Sequence, residues 1–220
     1  MKGSGLATKG IIFDLDGTLV DTLDDLTDSM NYALKTLGFP THRPEICRKM
    51  IGNGLTKFAE RALGAEGLAH IGRLLDVMTA HYLDHCLRKT RPYPGLSDVI
   101  LELRQRGILL GVLTNKNQKP AEKIANFFFG TGTFDPIIGY QAGQKTKPDP
   151  DGVQRILEAW GLTTEEVILV GDSEVDIQTA AAAGVLAVGV AWGFRSREEL
   201  RLAGADKIIE HSGQILDLRV

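Results

Sequence analysis

The sequence predicts an α/β fold: a doubly wound, Rossmann-like parallel sheet with a small all-helical domain inserted after its first strand. Three observations predict it. Short, continuously apolar runs alternate with amphipathic stretches from about residue 108 onward, the pattern of βαβ units covered on both faces. Residues 21–91 change to helical spacing alone. The 220-residue chain is long enough for one sizeable domain carrying an insertion.

The first predicted strand is Gly10–Leu15, which ends in two carboxylates one residue apart, Asp14 and Asp16. The insertion follows, where Leu26, Met30, Ala33 and Leu37, then Leu55, Phe58, Ala59 and Ala62, then Leu68, Ile71, Leu75, Met78 and Tyr82 recur at helical intervals. Arg91-Pro92-Tyr93-Pro94-Gly95 is a stiff, turn-rich return. The core is therefore expected in residues 1–20 and 92–220, and the helical domain in 21–91. A helix carrying Leu96, Val99, Ile100 and Leu103 stops at Gly107. Strands are then expected at Ile108–Thr114, Pro136–Gly139, Val167–Gly171 and Leu186–Val190. Val153, Ile156, Leu157 and Trp160 form a helical face closed by Gly161. Ser173 with Asp176, and Ser196 with Glu199, have the spacing of capping boxes.

Composition narrows the function. The formal charge of −3 and the lack of a Lys/Arg block argue against nucleic acid and anionic membranes as partners. Cys47 and Cys86 match no metal spacing and no disulfide framework, so reduced thiols in the cytoplasm are expected. The opening ten residues lack the apolar core of a secretory signal. Ala180–Phe194, the least polar segment, is too short to span a bilayer. A monomer or homodimer is expected.

Polar residues just past the carboxyl ends of parallel strands gather along one rim, where open α/β sheets bind ligands. Here that rim collects Asp14, Asp16 and Gly17, then Thr114 and Asn115, then Lys147, then Asp172 and Asp176. Such an inventory suits attack on a phosphate monoester, because a carboxylate nucleophile splits hydrolysis into two easier steps. Two like charges about 4 Å apart repel by roughly 4 kcal/mol at an effective dielectric near 20, so the cluster needs a divalent cation and a lysine. Hard oxygen donors select Mg²⁺, with Asp14 and Asp172 as candidate ligands. Lys147 would hold the transferring oxygens, and Thr114 and Asn115 would donate hydrogen bonds to them. Asp176 has two readings, a metal-linked carboxylate or the third position of the Ser173 capping box. The five histidines pair with no nucleophile in any readable pattern.

The ordered set DLDGTLVDT, LTN, KPDP and GDSEVD resembles the four motifs of the haloacid dehalogenase superfamily, and the helical insertion is similar to that superfamily's small α-helical cap. The resemblance implies that Asp14 is the nucleophile forming an aspartyl-phosphate. Asp16 would be the general acid and then the base, its main-chain carbonyl touching the metal. Thr114 would bind the phosphoryl group, Lys147 would stabilise it, Asp172 would ligate Mg²⁺, and Asp176 would lie behind the metal or touch a metal-bound water. Retention of Asp16 separates the chain from phosphonate-cleaving and dehalogenating relatives. Leu26 stands where β-phosphoglucomutase-like relatives carry a cap histidine.

The stretch Arg48-Lys49-Met50-Ile51-Gly52-Asn53-Gly54, with YPG at 93–95, WGFRS at 192–196 and GAD at 204–206, is similar to phosphoglycolate phosphatases. A small phosphorylated metabolite is the implied substrate, with 2-phosphoglycolate foremost. Its carboxylate would call for a cap arginine, Arg48 rather than Lys49, since a guanidinium matches a carboxylate with two hydrogen bonds; the alternative is two solvated cations. Competing readings are a sugar phosphomutase, a pyrophosphatase or other small-metabolite phosphatase on the same scaffold, a receiver-type signalling module, and a catalytically silent binding protein.

Overall fold

The computed structural model describes residues 8–219; residues 1–7, expected in the core domain and read as no secretory leader, lie outside the described residues. Among those described, the chain runs β1 (Gly10–Phe13), β2 (Val20–Asp21), α1 (Leu23–Thr36), α2 (Pro44–Met50), α3 (Gly54–Gly67), α4 (Ile71–His85), β3 (Arg91–Pro92), α5 (Leu96–Gln105), β4 (Leu109–Asn117), α6 (Gln118–Phe129), β5 (Ile137–Tyr140), α7 (Asp151–Trp160), β6 (Val167–Gly171), α8 (Glu174–Ala183), β7 (Leu186–Val190), α9 (Arg197–Leu202) and β8 (Lys207–Ile209). Strands β5-β4-β1-β6-β7-β8 form one sheet in that order, and every pairing is parallel.

Alternation along β1 explains its central place. Ile11 and Phe13 enter one apolar cluster with Val112, Val170 and Ile124, while Ile12 enters the other with Leu169, Val153 and Ile156. All are buried, as a strand covered by helices on both faces requires. Each contributes roughly 1.5–3 kcal/mol relative to an exposed side chain. The chain leaves β1 for β4 and β5 on one side, then returns to β6, β7 and β8 on the other. That reversal opens a crevice at the carboxyl ends of β4, β1 and β6.

The helical segment leaves and rejoins the sheet through a two-stranded antiparallel ribbon, Val20 opposite Pro92 and Asp21 opposite Arg91. Its neck is fixed by Asp25, a buried carboxylate on α1 that accepts from the N–H groups of Lys89 and Thr90 and from the Thr90 hydroxyl. A buried charge is tolerable because these donors replace its water.

Several elements differ from expectation. The first strand ends at Phe13 rather than Leu15, and β4 runs on to Asn117. The ribbon, helix α6 and edge strand β8 were not expected. Leu68 lies outside the helix that carries Ile71 to Tyr82: helix α3 is kinked at Gly64, where φ is +65°, and a short 3₁₀ turn over Leu68–His70 precedes α4. Gly107 and Gly161 close α5 and α7 at positive φ as expected, and Ser196 and Glu199 form their capping box.

Candidate active site

Asp14 stands one residue beyond β1, its N–H donating to the Val170 carbonyl of β6 at 2.9 Å. The neighbouring strand end supplies Asp172, just past β6, and Asp176 follows on the first turn of α8. The carboxylates of Asp14, Asp172 and Asp176 are all buried, and one oxygen of each lies within 4.8 Å of the others. Lys147, from the loop before α7, bridges two of them, with Nζ 2.8 Å from Asp14 Oδ1 and 2.6 Å from Asp176 Oδ1.

Asp176 has both of the roles the sequence left open to it. Its Oδ2 accepts from the Ser173 N–H at 3.0 Å and from the Ser173 hydroxyl at 2.6 Å, while its Oδ1 takes the lysine. Both oxygens are thus occupied by protein donors. Asp172 Oδ2 accepts from the Phe194 N–H at 2.6 Å. Asp14 Oδ2 and Asp172 Oδ1 meet no donor among the described residues, which leaves one free oxygen on each of two adjacent strand ends. A hard divalent cation suits that donor set.

Burial drives the charge state of this cluster. It raises the Asp14 carboxyl from 3.8 to about 6, against the pull of Lys147 and with help from Asp176 and Asp16. Asp172 is pushed well up by burial, then by Asp14 and Asp176. Burial alone would lower Lys147, but Asp14 and Asp176 outweigh it and hold the ammonium above its ordinary value. Three carboxylates share a single buried ammonium, so the centre lacks positive charge.

Gly17 is needed for this packing. Its φ is +85°, and a Cβ there would fall 2.2 Å from Asp172 Oδ2. Asp16 accepts from the Thr22 hydroxyl at 2.8 Å, and both its oxygens lie 2.8 Å from Lys116 Nζ.

Lys116 was missed in the sequence. It is 5% exposed in its side chain, and its ammonium sits 4.6 Å from the ring centroid of Tyr82 on α4. No period-two alternation marks it: β4 runs on past Thr114, its pairing to β5 is irregular between Leu113 and Asn117, and residues 110–116 are buried without a break. Thr114 is buried, its hydroxyl accepting from the Lys116 N–H at 3.3 Å. Asn115 donates to the Lys147 carbonyl at 3.0 Å, so it positions the lysine's loop.

A cavity of about 170 Å³ opens beside Asp14, Asp16, Thr114 and Asn115, between the strand ends and the helical segment. Its walls are apolar where Leu26, Ile51, Leu55 and Phe58 face it, and polar where Lys116 and Tyr82 do. No histidine lines it among the described residues. Nor does Arg48. Its guanidinium donates to the carbonyls of Gly193 and, at 3.0 Å, Phe194, while Arg195 returns donors to the carbonyls of Arg48 at 3.2 Å and Ile51 at 2.7 Å. The WGFRS segment therefore holds Asp172 through the Phe194 N–H and the helical segment through Arg195.

Residues 11–190 match the family model described as haloacid dehalogenase-like hydrolase. The chain is 34% identical over 220 residues to a phosphoglycolate phosphatase of Rhodospirillum rubrum, covering 95% of this chain and 90% of that one. It is 35% identical over 191 residues to a phosphoglycolate phosphatase of Mesorhizobium japonicum, covering 85% and 84%. Among solved structures, a predicted phosphoglycolate phosphatase from Haemophilus somnus superposes with a TM-score of 0.89 at 29% identity, covering 96% of this chain and 97% of that one.

Proposed function

The chain belongs to the haloacid dehalogenase-like hydrolases and is a phosphoric monoester hydrolase, and from that premise we propose that it hydrolyses 2-phosphoglycolate through an aspartyl-phosphate on Asp14. One observation carries the assignment of roles: Asp14, Lys147, Asp172 and Asp176, from three separate segments of the chain, meet in one buried cluster. The phosphoglycolate reading draws on the names of the relatives.

In the first step a carboxylate oxygen of Asp14 attacks phosphorus, and the bond to the ester oxygen breaks. Asp16 gives its proton to the departing alkoxide. Asp16 then takes a proton from water as the water oxygen bonds to phosphorus and the acyl-phosphate bond breaks, which returns Asp14 and releases phosphate. Lys147 offsets charge on the phosphoryl oxygens, and the Thr114 hydroxyl orients them. Asp14, Asp172 and the Asp16 carbonyl would hold Mg²⁺, with Asp176 fixed behind them by Ser173. Bound there, the ion would neutralise the carboxylates and the incoming phosphate dianion.

The helical segment would act as a cap that excludes bulk water from the intermediate. Leu26 lines the cavity with a side chain that can move no proton to a sugar hydroxyl, which favours hydrolysis over a mutase. The two cysteines are free and buried, which suits a reducing cytoplasm. No helix among the described residues is long and apolar enough to cross a membrane.

The test is phosphate release by purified protein with Mg²⁺ across a phosphomonoester panel that includes 2-phosphoglycolate. Wild type is expected to turn over 2-phosphoglycolate best, and Asp14→Asn to lose activity by a factor on the order of 10³ or more. An Asp14→Asn protein as active as wild type would remove the nucleophile's role.

A further inference from the structure

Resting on that phosphatase reading, we propose that the residue recognising the carboxylate of the substrate is Lys116, on the strand end of the core, with the Tyr82 hydroxyl as the second donor. The substrate class is then a phosphate monoester whose leaving alcohol carries an anionic group.

Three observations on different elements support it. An ammonium has three N–H donors, and both hydrogen bonds of Lys116 run to Asp16, so one donor is unspent on a side chain that lines the cavity. Tyr82 is 5% exposed and lines the same cavity, yet its buried hydroxyl has no hydrogen-bond partner. A buried hydroxyl without a partner is costly, which points to a ligand acceptor that completes it. The third is the N-terminus of the twelve-residue helix α6, whose first turn reaches the cavity through Lys119 and Pro120 and adds positive potential.

A tail anion placed here leaves the ester oxygen beside Asp16, because Lys116 touches both. The lysine would bridge two carboxylates, as Lys147 already bridges Asp14 and Asp176. Lys119, at the start of α6, is the other cation on the cavity wall, and Thr79, Asn115 and Asn117 are neutral polar groups there. Arg48 is tied to the carbonyls of Gly193 and Phe194 and lies outside the lining.

The experiment compares kcat/KM for 2-phosphoglycolate and for ethyl phosphate, a neutral-tailed ester of similar length, in wild type, Lys116→Met, Lys116→Arg and Tyr82→Phe. Any loss of support for Asp16 affects both esters and cancels in their ratio. Lys116→Met is expected to cut the preference for 2-phosphoglycolate by about tenfold or more, chiefly through KM, with Lys116→Arg keeping most of it and Tyr82→Phe giving a smaller loss. Residual turnover of ethyl phosphate shows that the variant is folded. A preference that survives Lys116→Met would overturn the lysine's role alone. A wild type with no preference would overturn the substrate reading itself.

Discussion

Asp14 shows how one residue joins stability to chemistry. Its carboxyl is raised from 3.8 to about 6 by burial, so between those values the folded protein holds a proton that the unfolded chain has lost. More protons bound in the folded state means that stability falls as pH rises through that window. A divalent cation reverses the penalty, because it favours the ionised form. Mg²⁺ is therefore expected to raise the melting temperature of the wild type at pH 7.5 and to have little effect near pH 4, measured by differential scanning fluorimetry. An equal shift at both values would separate metal binding from this carboxylate. Asp14, Asp16 and Asp172 were legible in the sequence because they stand at the ends of apolar runs, where a charge needs a reason, whereas Lys147 follows a polar loop and was legible only from its place before Pro148 in the ordered motif set. Lys116 was not, because a lysine at the presumed end of a strand has the ordinary explanation of a surface cation. Only the true length of β4 turns it inward.

At the scale of elements, the reciprocal pair Arg48 and Arg195 fastens the helical segment to the sheet. The hydrogen bonds run from each guanidinium to backbone carbonyls across the junction, and Arg195 also meets Glu174 at 3.2 Å. Truncation at Arg195, which is buried, would strand two carbonyls and remove charged donors. Charged hydrogen bonds contribute about 2 kcal/mol, which in a chain of this size is a fall in melting temperature of roughly 4–8 °C. Arg195→Ala is expected to show that fall together with faster amide exchange across residues 48–54, while unchanged exchange there would mean that the clasp does not hold the segment. The sequence marked Arg48 as unusual and WGFRS as informative, but it offered no way to see that they meet. Pairing between positions 144 to 147 apart is a property of the packed chain. The same limit hid β8 and the β2–β3 ribbon: strands of two or three residues carry no period, and only their partners define them. Long apolar strands and capped helices were readable because each is specified locally.

Across the whole molecule, the helical segment is continuous with the main apolar core. Met30, Leu34, Phe58, Leu74 and Met78 share one buried cluster with Phe13, Val112, Ile124 and Val170 of the sheet and its helices. Ile12 and the α7–α8 side form the second cluster. A cap with its own isolated core would melt by itself, whereas shared burial couples its unfolding to that of the sheet. The two tryptophans, Trp160 and Trp192, both lie in the sheet-bearing part, beside Gly10 and near Thr18, so fluorescence reports chiefly on that part. Far-ultraviolet circular dichroism reports helices from both parts. Equilibrium unfolding in urea, with Mg²⁺ present throughout, is therefore expected to give coincident midpoints by the two probes. An early loss of helical signal at constant tryptophan emission would show that α1–α4 unfold first, and the shared core would then be too weak to make the two parts cooperative. Coincidence would also constrain catalysis: opening of the site would be a rigid movement about the β2–β3 neck and the Arg48–Arg195 clasp, with the helices themselves intact.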